Sequence, residues 1–208
     1  MAGVVDDWRR AALVDRFLRP RLAGAGAQNA PPLPSLAQFL RDAGVSGGAL
    51  QRHHAPDTLD ADAGAYAAGL DGFVHDADAY AAPPDDLAAA HAPAPPPAPG
   101  ARPSWYFVSP VRRHGGPRCR APSCKRCGVG AGGFPVGEWV PQRRDSHAEA
   151  GGGARHVRRY FYVSAANPKV PAGWVMVENG ITPEGSCHEE MVLCEMYRSH
   201  RRPAPLLP

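Results

Sequence analysis

The chain has 208 residues, of which 23 are glycine and 24 proline, and a formal net charge of +3. That length admits one domain with a sizeable core, while the glycine and proline content points to a packed part shorter than the chain, carrying disordered Pro/Gly-rich insertions. Met1 to Asp7 has two acidic side chains and no apolar run, unlike a secretory signal or transit peptide, and no stretch nears the roughly 18 to 20 apolar residues that span a bilayer, so a soluble, cytosol-made protein with no membrane partner is expected.

In chain order, Leu13 with Phe17 and Val14 with Leu18 sit four apart, which predicts a packing helix over Asp6 to Leu18 ended by Pro20. Ser35 as N-cap, then Leu36, Phe39, Leu40 and Ala43 before Gly44, predict a second helix. Residues 44–70, with His53 and His54, are rich in Ala, Gly and Asp, show no period and read as insertion. Residues 88–103 contain the run APAPPPAPG, whose prolines lack donors for a sheet, and read as a loop or linker.

Beyond residue 103 the chain turns to short β-branched and aromatic runs: 105–109, 159–163, 173–178 and 191–197. These predict strands. In the last, Val192, Cys194 and Met196 fall on one face and Leu193, Glu195 and Tyr197 on the other. Trp105, Tyr106, Tyr160, Tyr162 and Trp174 could stack on single-stranded bases, but half of such residues in an antiparallel sheet are core, and core is the reading for both tryptophans.

Charge is unevenly placed. Residues 1–100 carry 7 basic and 12 acidic residues, 103–159 carry 11 and 3, and 160–208 carry 4 and 5. A middle segment of +8 can draw a polyanion by counterion release, although a solvated basic loop gives the same pattern.

Motifs for catalysis or metal binding are weak. Cys119, Cys124 and Cys127, with His114 near them, have neither the paired zinc spacing nor the fourth cysteine of an iron–sulfur run, so free thiols are expected and no metal. The spacing of Gly128, Gly130 and Gly133 matches a dinucleotide fingerprint, but no apolar strand precedes it and Phe134-Pro135 follows where a helix should start. Cys187 and His188 are neighbours in a loop, which is not a nucleophile and base in productive geometry. No catalytic residue and no cofactor is assigned, and an enzyme is not expected.

The order and wording of the strand runs resemble the NAC domain of plant transcription regulators. WYFVSPVRR at 105–113, RRYFYV and GWVMVENGI in the middle, and MVLCEMYRSHRRP at 191–203 are similar to four of its motifs in order. Upstream, FVHDADAYAAPPDDL at 73–87 resembles its acidic motif and LVDRFLRPRL at 13–22 its first helix. The resemblance implies an α+β domain over residues 8–199, a twisted antiparallel sheet flanked by a few helices, with 23–70 partly insertion, 88–103 a Pro-rich loop and 200–208 a tail. It also implies a nuclear regulator of transcription that lays a sheet edge in the major groove of double-stranded DNA, which admits a β-ribbon.

Two departures shape the expectation. The family's N-terminal pairing motif has no counterpart before Trp8, so a monomer is expected. Where the family carries a lysine-rich reading strand, this chain has GGFPVGEWVPQRRDS, with Glu138, Val140 and Pro141 beside Trp139. Trp139, Gln142, Arg143 and Arg144 are left as candidate groove contacts, with Arg112, Arg113, Arg118, Arg120, Lys125 and Arg126 as a backbone-binding flank. Weak binding with little sequence preference follows. The alternative is a NAC-derived interaction module that modulates other NAC-type proteins with little DNA reading of its own.

Overall fold

The structure, a computed structural model, describes residues 9–24, 56–111, 127–129, 136–142, 146–150, 153–168, 170–183 and 191–199. Three helices are described: α1 (residues 9–24), α2 (Pro56–Ala68) and α3 (Pro84–Ala90). The strands are β1 (Val74–Asp76), β2 (Ser104–Pro110), β3 (Cys127–Val129), β4 (Gly137–Pro141), β5 (Ser146–Ala150), β6 (Gly153–Ser164), β7 (Pro171–Pro183) and β8 (Met191–Arg198). All four predicted runs lie inside strands, β2, β6, β7 and β8, so the class is α+β as expected. No described helix is long and apolar enough to cross a membrane.

One sheet holds all eight strands in the order β1-β2-β8-β7-β6-β4-β3, with β5 also paired to β6. Every pair is antiparallel except β1 with β2, so the sheet is mixed rather than wholly antiparallel. Parallel neighbours need a crossover connection, and here α3 and the Pro-rich loop supply it. Residues 91–103 are indeed irregular, tied to the sheet by an isolated bridge from Ala94 to Ser104, although Ala88 to Ala90 belong to α3.

Period-two alternation divides β8 between two cores. Val192, Cys194 and Met196 join Phe107, Met176, Trp174, Tyr160 and Trp139 on one face, with Tyr80 and Leu87 packed over them. Leu193 points the other way, to Leu13, Val14, Phe17 and Leu18 of α1, to Ala67 of α2 and to Leu70 just beyond it. The central strands are therefore buried on both faces, which explains why so few of their residues are polar. Trp174 is core as expected, whereas Trp105 is half-buried, edge-on to Trp174 with ring centroids 5.5 Å apart.

The helices depart from expectation at two places. Pro20 does not end α1, which continues to Gly24. Val14–Leu18 is wound as a π segment, so that the Arg19 N–H reaches back to the Val14 carbonyl. Such a one-residue widening absorbs a position where the regular i to i−4 pattern cannot be kept, as next to a proline that lacks its N–H. In addition, residues 56–68 of the presumed insertion form α2. Alanine is the strongest helix former, and among the residues of α2 whose burial is described the buried ones are Ala63 and Ala67, small side chains that give a weak apolar signal in the sequence. The helix predicted from Ser35 to Ala43 lies outside the described residues.

A buried ion pair ties α1 to the sheet. Arg10 Nε donates to Glu195 Oε2 at 2.8 Å, with side chains 8% and 10% exposed, and Ser104 Oγ donates to the other carboxylate oxygen at 3.3 Å. Losing either partner would strand a charge in the core, so the pair fixes how α1 lies across β8.

Candidate nucleic-acid interface

Of the strands drawn from the basic segment, β3, β4 and β5 lie together beside β6 at one edge of the sheet, whereas β2 lies toward the other edge, next to β1. β4 runs along residues 160–164 of β6, β5 along residues 153–157, and β3 closes the edge outside β4. β3 pairs only with Gly137, Glu138 and Trp139, so Val140 and Pro141 have β6 on one side and no described strand on the other. Pro141 is thus at the open end of an edge strand, where its missing N–H disrupts no ladder. That position, not the strand centre, is how the sequence accommodates it.

Trp139 is not a groove contact. Its indole is fully buried, packed edge-on against Tyr162 at 5.3 Å. Gly137 makes room for the Tyr162 side chain, because a Cβ there would lie 2.2 Å from its hydroxyl oxygen. With Trp139 turned to the core, alternation sends Glu138, Val140 and Gln142 to the opposite face, where Glu138 and Val140 are half-buried and Gln142 is exposed. The Gln142 N–H donates to the Arg159 carbonyl at 2.7 Å, so exposed Arg159 on β6 stands directly across from Gln142. Arg159 was not singled out from the sequence. The HVRRY run held the only signal, since of two adjacent arginines in a strand one must face outward.

Arg158 faces the other way and is neutralised. Its Nη1 donates to Glu178 Oε1 at 3.1 Å, and the Tyr80 hydroxyl donates to Glu178 Oε2. His156 Nε2 lies 3.5 Å from Oε1, near enough for electrostatic attraction but long for a hydrogen bond. Burial alone would push the Glu178 carboxyl up. His156, Tyr80 and the Arg158 charge outweigh it and hold the group below the usual carboxylate range. The +8 of residues 103–159 therefore overstates what the surface offers a polyanion, because Glu178, from outside that segment, takes up one of its arginines.

No family model, curated protein or solved structure matches this chain. Of the remaining predicted contacts, Arg112, Arg113, Arg118, Arg120, Lys125, Arg126, Arg143 and Arg144 lie outside the described residues, as do Cys119, Cys124, Cys187 and His188. Cys194 is a buried free thiol of β8. β3 turns back antiparallel onto β4, so the chain after Gly128 builds a strand pair and not the strand-to-helix turn of a dinucleotide site.

Proposed function

We propose that the chain is a non-enzymatic, NAC-like nuclear regulator that binds duplex DNA weakly and with little sequence preference through its β4 edge. The observation that carries the reading is the exposed pair Gln142 and Arg159 on that edge, and the sequence adds Arg143-Arg144 directly after Gln142 and the basic residues from Arg112 to Arg126 ahead of β3. The major groove admits a two-stranded β-ribbon such as β3 with β4, and cations draw phosphates.

The test is fluorescence anisotropy on a NAC-type site and a scrambled duplex at several salt concentrations. Micromolar, salt-sensitive binding that barely separates the two duplexes is expected. Arg143→Glu with Arg144→Glu should flatten the dependence of log affinity on log salt by about 0.9 for each phosphate the protein no longer neutralises. Nanomolar, site-selective binding indifferent to that double reversal would place the reading surface elsewhere.

A second reading has its own support. The face that β4 turns outward carries Glu138 and Val140 rather than cations, which suits a module that pairs with other NAC-type proteins. Glu138→Lys separates the two, since it should strengthen DNA binding on the first reading and leave DNA untouched on the second.

A further inference from the structure

On the far side of the sheet from Glu178, a cleft of about 350 Å³ opens between α1, the end of α2, β2 and the Pro-rich loop. One wall is made by a tight turn. The Ala101 N–H donates to the Ala98 carbonyl at 3.0 Å, and Gly100 between them has φ +78°. Proline second and a left-handed glycine third are what a type II turn requires, so the sequence Ala98-Pro99-Gly100-Ala101 aims the next residue, Arg102, into the cleft.

Charge in the cleft is unbalanced. Arg9, Arg10 and Arg102 line it against one carboxylate, Glu195, which Arg10 already engages. Arg102 stacks on the Tyr197 ring with its guanidinium carbon 3.4 Å from the centroid, and Arg9 lies over Tyr66 at 5.4 Å. Neither has a carboxylate partner among the described residues. Aromatic stacking holds both groups in place and leaves an excess of two positive charges facing an opening with Leu13 and Pro97 in its walls. The Tyr106 hydroxyl lies there too, kept protonated by burial and by the Glu195 charge, 3.4 Å from the Tyr66 hydroxyl.

We propose that this cleft binds a small phosphate monoester as its dianion. Two guanidinium groups with no carboxylate partner among the described residues match the charge of about −1.5 to −2 that a monoester carries near neutral pH, and their planar forks suit its terminal oxygens. The volume lies at the lower end of small-molecule sites and admits the ester with a compact apolar body against Leu13 and Pro97. A DNA phosphodiester bears a single charge per phosphate, and none of the residues lining this cleft belongs to β4, so the site is distinct from the sheet edge and stands or falls independently of it.

Phenyl phosphate is the probe, titrated into the full chain by calorimetry at low salt, with phosphorus line broadening as a second readout. Binding should strengthen from pH 5 to pH 7.5 as the second proton leaves, around pH 6. Phenyl sulfate, a monoanion throughout, should bind more weakly and show no such rise, and phenol should not bind. Arg102→Gln should weaken phenyl phosphate about tenfold or more, the loss of one charge-assisted hydrogen bond, with Arg102→Lys intermediate. Should Arg102→Gln fail to fold, Arg9→Gln at the half-buried start of α1 carries the same expectation. No heat and no broadening at millimolar phenyl phosphate, equal binding of phenol or phenyl sulfate, or affinity unchanged in the folded arginine variants would each overturn the assignment.

Discussion

A glutamate with 3% exposure would ordinarily take up a proton, yet Glu178 is held charged by Tyr80, Arg158 and His156. The cluster is closely packed, for a Cβ on Gly180 would lie 2.1 Å from Cε1 of the His156 imidazole. Because the folded pKa lies below the ordinary value of 4.5, the stabilisation is complete above that pH and is lost as pH falls through the folded pKa. Tyr80→Phe removes one donor, lifts the folded pKa and moves acid unfolding to higher pH. At pH 7 it should also cost about 1.5–3 kcal/mol, the worth of a hydrogen bond to a charged group. Urea melts between pH 4 and pH 7 read both effects, and a variant matching the parent throughout would show that the carboxylate needs no tyrosine. His91, lowered by burial and by the neighbouring His75, adds acid sensitivity of the same sign, so only the difference between variant and parent isolates Glu178.

Strand β4 shows how an element's register decides what its residues can do. Its five residues read equally well with Trp139 outward toward a groove or inward. Pairing Trp139 with Tyr162, over a glycine at 137, selects the inward register and turns Glu138 out. Trp139→Ala should therefore cost about 3–5 kcal/mol of stability, as expected for a deleted core aromatic. Its DNA affinity, measured by anisotropy under conditions where the variant stays folded, should be unchanged. A fall in affinity with no loss of stability would restore Trp139 to the interface. The helices carry the same lesson in reverse: α1 runs past Pro20 because a π segment takes up the irregularity, and α2 forms from alanines because the sheet gives their small face a surface to pack on.

At the scale of the molecule, β7 and β8 sit between other strands and under side chains on both faces, while β1, β3 and β5 are short and lie at the margins. Amide hydrogen exchange should accordingly be slowest in Val175 to Val177 and Val192 to Met196, and faster in Val74 to Asp76 and Cys127 to Val129. Mass spectrometry of peptic fragments would measure this, and uniform protection across the sheet would contradict it. The sequence by itself determined the class, the four long strands and the two faces of β8, because side-chain alternation is a local property of an extended chain. Tertiary structure alone decided that Trp139 is core, that Arg158 is neutralised, that residues 56–68 are helical and that Arg9, Arg10 and Arg102 share a cleft. Each depends on partners far along the chain, 20 positions for Arg158 with Glu178 and 185 for Arg10 with Glu195. Burial and charge pairing are set by distance in space, and no periodicity in the sequence encodes that.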